Sequence, residues 1–230
     1  MKNRKLAAIM GAVALWVGAA FGDTTSNYTF SANQAISDAD ASGLAVTANL
    51  SGLTEGPILD VNVTLNITGG FNGDLYAHLA GPNGGFAVLL NRVGVNNNAS
   101  AFGYSTAGLN VTLDNAAANS IHYYQNFSFT LNGGGQLTGT WQPDGINIDP
   151  LSAPGSFLGA GQTALLSSLN GTDANGTWTL FLADLSSGGN AMLVDWGLQI
   201  AIPEPAPIVL GVWGLAIFGL LRRFKSPRAA

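Results

Sequence analysis

Between Ile58 and Thr68 the chain alternates: Val61, Val63, Leu65 and Ile67 are apolar, while Asn62, Thr64, Asn66 and Thr68 are polar. A period of two sends successive side chains to opposite faces of an extended strand, so this stretch is a strand with one face in a core. The pattern recurs at Leu75-Ala77-Leu79, Phe127-Phe129-Leu131, Trp178-Leu180-Leu182 and Val194-Trp196-Leu198-Ile200. Gly69-Gly70, Asn72-Gly73, Asn83-Gly84-Gly85, Gly133-Gly134-Gly135 and Gly188-Gly189 lie between these segments and accept the positive φ that tight turns need. No stretch here keeps a helical period beyond about two turns. Short strands with Gly-rich turns predict an all-β fold, an antiparallel sandwich or barrel. Trp178 and Trp196 are its large inward anchors, and Asn175-Gly176 suits a two-residue hairpin turn. Residues 23–43 read as a polar N-terminal segment with an edge strand at Tyr28 and Phe30, and residues 143–163 as a long loop.

The two ends differ from this middle. Lys2, Arg4 and Lys5 precede an apolar run from Leu6 to Val17, followed by Ala20-Phe21-Gly22. This is the layout of a secretory signal peptide over residues 1–22, with cleavage expected between Gly22 and Asp23. Near the other end Pro203-Glu204-Pro205 precedes an apolar run from Ile208 to Leu221, then Arg222, Arg223, Lys225 and Arg228. Basic residues after an apolar stretch stay on the cytoplasmic side. The run is roughly 21 Å long at 1.5 Å per residue, short of the roughly 30 Å hydrocarbon core. Residues 207–221 are therefore expected to form a single transmembrane helix that suits a transient span better than a permanent anchor. Residues 203–230 resemble the PEP-CTERM sorting tail of Gram-negative bacteria. That resemblance implies an exosortase-type sorting enzyme as partner and export through an inner-membrane-tethered intermediate to the cell surface or extracellular matrix.

With both ends set aside, Arg92 is the only basic residue between positions 23 and 202, against 11 Asp and Glu55, a formal charge of 1 − 12 = −11. Phosphate binding needs clustered Lys and Arg, so a nucleic-acid partner is excluded, and divalent cations are the natural counter-charge. The chain has no cysteine, which removes thiol catalysis and Cys-based zinc sites. Nine Asn-x-Ser/Thr triplets follow from Asn and Thr alternating on the solvent faces of strands, without selection for glycans.

Three blocks fall in order: G-D-L-Y-A-H-L-A-G-P-N-G-G at 73–85, L-T-G-T-W-Q-P-D-G at 137–145, and N-G-T-W-T-L-F-L-A-D at 175–184 closing with V-D-W-G-L-Q-I at 194–200. Together they resemble the P domain, or Homo B domain, that stands beside subtilisin-like proprotein convertases. The resemblance covers residues 44–202 and implies an eight-stranded jelly roll. It also implies a subtilisin-like serine endopeptidase as a partner, and calcium, which some P domains bind. The family's D-L-x-I-x-L strand becomes Asp74-Leu75-Tyr76-Ala77-His78-Leu79 here, and no protease domain accompanies it.

A serine protease needs a nucleophile, a base and a residue that orients the base. The only histidines are His78, in a predicted strand, and His122, in a loop. Gly103-Tyr104-Ser105-Thr106-Ala107 lacks the last Gly of a nucleophile elbow. No catalytic residues are therefore assigned. For calcium, which takes six to eight oxygens, Asp74, Asp114 and Asp184 are the candidate ligands, expected to converge at one end of the sandwich. For a surface polysaccharide, Trp141, Tyr104, Tyr123 and Tyr124 are the candidate stacking rings. The expectation is a non-catalytic envelope or matrix protein serving adhesion or ligand binding, the alternative an accessory module of a secreted protease.

Overall fold

The computed structural model describes residues 22–53, 56–96 and 100–204. The signal segment before Gly22, Pro205, the span 207–221 and Arg222 and Arg223 lie outside the described residues. Among the described residues no helix is long and apolar enough to cross a membrane.

The chain forms a body from Asp23 to Pro203. Its strands are β1 (Asp23–Ile36), β2 (Asp40–Leu50), β3 (Asp60–Gly69), β4 (Leu75–Ala80), β5 (Phe86–Asn91), β6 (Leu109–Leu113), β7 (Leu137–Trp141), β8 (Gly176–Asp184) and β9 (Ala191–Pro203). One sheet has the order β1-β9-β3-β6-β7 and the other β2-β8-β4-β5. The period-two segments explain the layering. Val61, Val63, Leu65 and Ile67 of β3 meet Trp178, Leu180 and Leu182 of β8 and Trp196, Leu198 and Ile200 of β9 in one core, with both tryptophans essentially inaccessible to solvent. Trp178 keeps its indole N–H satisfied by donating to the Ala174 carbonyl at 2.9 Å. The sandwich is thus the predicted all-β class.

Four features depart from the sequence expectation. The polar N-terminal segment does carry an edge strand at Tyr28 and Phe30, but that strand is the whole of β1 and is followed by the start of β2, so the body begins at Asp23 and not at residue 44. The described residues form nine strands where the resemblance implies eight. β6 and β7 pair in parallel, Leu109 with Leu137 through Leu113 with Trp141, so the sandwich is not wholly antiparallel. Finally, Asn175-Gly176 closes no hairpin. Asn175 accepts from the Leu53 N–H at 3.0 Å and returns a bond to its carbonyl, tying the loop after β2 to the foot of β8.

Residues 127–131 form no strand of their own but lie along the outer edge of β7, with the Thr138 N–H donating to Thr130 and an antiparallel bridge between Leu131 and Leu137. The long loop does the same for β5: Asp144 and Gly145 donate to Leu89 and Val88, and the Val88 N–H donates to Ala164. Beneath that loop Val95, Ile146 and Phe157 form a small second core. Gly69 and Gly70, at φ +70° and +68°, turn the chain out of β3, and a Cβ on Gly69 would overlap the Asn190 carbonyl.

Candidate functional site

The strongest candidate lies at the end of the sandwich where β3 finishes, β4 begins and β8 finishes. After the glycine turn, Asn72–Asp74 form a single 3-10 turn, closed by the Asp74 N–H donating to the Phe71 carbonyl at 3.0 Å. Gly73 donates to the Tyr104 carbonyl at 2.9 Å, and a Cβ there would overlap the Phe102 carbonyl, so only glycine lets the two segments touch. On the far side Leu185 donates to the Asp74 carbonyl at 2.9 Å, joining the exit of β8 to the entry of β4. Between these segments is an open cleft of about 360 Å³, walled by Phe71, Phe102 and Tyr104 and floored by Asp74, Ser186 and Ser187. Phe102 is 79% exposed, an unusual placement for a side chain of its kind.

Beneath the cleft the charge is unbalanced. Asp184 faces Leu75 across β4 and Asp40 across β2. Burial, with the neighbouring charges of Asp74 and Asp38 added, pushes the Asp184 carboxyl up to about 6, although the Ser186 N–H bonded to it works the other way. Asp74 is also raised, first by burial and then by Asp38, with a hydrogen bond from Ser186 and the charge of Arg92 partly offsetting this. Asp38 itself accepts from the Gly188 N–H at 3.2 Å. Three carboxylates thus stand within electrostatic reach of one another, and Arg92 offsets the charge only at Asp74 among the described residues.

The predicted calcium set is only partly brought together. Asp74 and Asp184 share this end. Asp114 follows β6, whose Leu113 pairs with Val63, and its charge raises the Asp60 carboxyl at the opposite end of β3, where burial is the larger cause. The length of β3 separates the two places, roughly 30 Å at 3.3 Å per residue. Among the described residues no three His, Asp or Glu side chains form a group able to hold a metal. The trio does not fit a shared ion. Asp38, which sequence reasoning missed, takes the place expected of Asp114; a polar Asp38-Ala39-Asp40 run gives no sign of which end of a sandwich it joins. Gly22 and Asp23 sit at the start of β1, and Pro203 and Glu204 at the end of β9.

The candidate stacking rings are mostly inside. Trp141, Tyr104 and Tyr124 are buried and Tyr124 packs on Tyr104 at 4.6 Å; only Tyr123 is half-exposed. His122 is wholly buried in the turn Ile121–Asn126. Its Nδ1 is 2.7 Å from the Asp144 carboxylate and its Nε2 is 3.1 Å from the Val95 carbonyl. A carboxylate and a carbonyl both accept, so this setting favours a proton on each ring nitrogen. Burial opposes that charge, but the hydrogen bond and charge of Asp144 and the Val95 carbonyl outweigh it and hold the imidazole above its ordinary value. His78 lies on the outer face of β4 between Phe86 and Phe181, at 4.9 and 5.0 Å, and burial lowers it.

No family model matches the chain, and no curated protein does. Two crystal structures of a serine protease of Aeromonas sobria are similar to it. The one with its chaperone has 15% identity and a TM-score of 0.42, over 80% of this chain and 28% of that one. The other has 13% identity and a TM-score of 0.43, over 79% and 27%. The chain spans less than a third of the length of these structures.

Proposed function

We propose that this chain is a non-catalytic exported module of the P-domain type that works by binding a protein partner at the acidic, aromatic cleft. The observation that carries the reading is the contrast between two sites. His122, the one histidine paired with a carboxylate, is sealed in the core with both nitrogens engaged, whereas Phe102, Phe71 and Asp74 meet at an accessible cleft. A base must have a free nitrogen within reach of the proton it takes, and His122 has none.

The cleft suits a protein segment that presents basic and apolar side chains, since it couples the exposed rings of Phe71 and Phe102 to the Asp74 carboxyl. The partner class is a secreted serine endopeptidase, because the blocks at 73–85 and 175–184 resemble a domain that stands beside such enzymes. Adhesion to polysaccharide is the weaker reading, as three of the four aromatic candidates are inside. Delivery by an exosortase-type system rests on the tail from Pro203; mass spectrometry showing cleavage near Pro203-Glu204-Pro205 supports it, and an intact tail on the mature protein refutes it.

The test is co-purification of the full chain from its native host, wild type against Phe102→Ala. A serine endopeptidase that is retained by wild type and lost about tenfold or more from the variant, as for a central aromatic anchor, supports the reading. Hydrolysis by the purified chain itself, across peptide and glycoside substrates, would refute it.

A further inference from the structure

The four edge strands of the sandwich are treated unequally. On one side β7 is covered by residues 130–132 and β5 by residues 144–145 and 164, with backbone bonds at Gln136 and Thr138 and at Val88 and Leu89. On the other side β1 and β2 end their sheets, and among the described residues no backbone hydrogen bond reaches their outer edges. An edge strand leaves half its N–H and C=O groups unpaired and is a template for another strand unless charge, proline or a bulge blocks it.

β1 has such protection only late in its length. Its pairing with β9 runs in unbroken register from Asp23 to Ser31, and the irregularity falls between Ser31 and Gln34, where Asn33 takes a φ of +51°. The nine regular residues contain no proline and, after Asp23, no acidic or basic side chain. Thr25, Asn27, Thr29 and Ser31 are exposed, while Tyr28 and Phe30 are half-buried, Phe30 lying 4.7 Å from Trp196. β2 is the poorer edge: its register breaks between Asp40 and Leu44 around a left-handed Gly43, leaving seven regular residues.

We propose that β1 pairs antiparallel with β1 of a second copy of this chain about a two-fold axis at Asn27, making one continuous ten-stranded sheet. A second copy fits this edge because the two-fold register is self-complementary and, in a domain of formal charge −11, sets no carboxylate against another. Asp23 meets Ser31, Thr25 meets Thr29, and Asn27 meets itself. β-Branched and amide side chains directly opposite one another are favourable cross-strand pairs. The pairing also extends over the groove of about 320 Å³ between the two open edges, which Phe30, Ala32, Val46 and Trp196 line. A closed two-fold contact stops at the dimer and leaves no free β1 edge. Because each copy is strongly acidic, dimerisation strengthens with ionic strength.

The chain has no cysteine, so a single introduced thiol reports the axis directly. In the full chain in mild detergent, Asn27→Cys forms a disulfide-linked dimer under gentle oxidation, whereas Ser167→Cys, on an exposed turn elsewhere, does not. In sedimentation, Thr25→Glu with Thr29→Glu weakens the dimer about tenfold, the scale of two like-charge cross-strand pairs, and Thr25→Glu with Thr29→Lys restores it. Equal cross-linking at 27 and 167, a double-Glu variant as dimeric as wild type, or Asn27→Cys joined in the native host to a different protein instead of to itself would each overturn the proposal.

Discussion

Single residues decide the pH response of this protein. His122 has its folded value raised, so its contribution is fully present below the ordinary 6.5 and is lost as pH rises through the folded value. Asp184 is raised from 3.8 to about 6, so the folded state binds more protons between those limits and stability falls as pH climbs through that window. Both trends have the same sign. The melting temperature is expected to be higher at pH 5 than at pH 8, and a thermal scan with the reverse order contradicts these assignments. Asp184→Asn removes the charge but keeps an oxygen for the Ser186 N–H. It should stabilise the protein at pH 7 by on the order of 1 kcal/mol once solvent screening is allowed for, with a smaller gain at pH 4. His122→Ala leaves Asp144 buried without its cation and is expected to cost about 3–5 kcal/mol, read as a fall in denaturation midpoint.

Elements show which parts of the fold are written locally. β3, β4, β8 and β9 are legible because large apolar side chains alternate along them, and Trp178 and Trp196 point inward as that alternation requires. β1 is legible only at Tyr28 and Phe30, which mark an edge strand; Thr, Ser, Asn and Ala dominate the rest of Asp23–Ile36, and the irregularity near Asn33 breaks the period, so its length is hidden. Phe127-Phe129-Leu131 has a strand's alternation but lies at a sheet edge with one bridge, so its apolar side chains remain 39–47% exposed. The cleft was half legible. Asp74 and Asp184 each flank a strand, and those strands are neighbours, but no local signal sets Asp38 with them or Asp114 apart. That outcome depends on which strands pair over separations of more than a hundred residues. At this scale Gly73→Ala is the sharp test of the cleft, since its Cβ must push on the backbone at Phe102. It should destabilise by about 1–3 kcal/mol, whereas Phe102→Ala, on an exposed ring, should stay within about 0.5 kcal/mol.

At the scale of the whole chain, nearly all positive charge falls in the two terminal segments and the acidic sandwich comes between them in sequence. The cleft opens at one end of that sandwich. We propose that the protein works by binding a secreted serine endopeptidase at the cleft and catalyses nothing itself. The most direct measurement places a photo-crosslinking amino acid at Phe102 in the full chain, expressed in its native host, and identifies the adduct by mass spectrometry. The expected adduct is a serine endopeptidase, absent when the same group is placed at Ser167. An adduct to polysaccharide alone, or the same adducts from both positions, would contradict it.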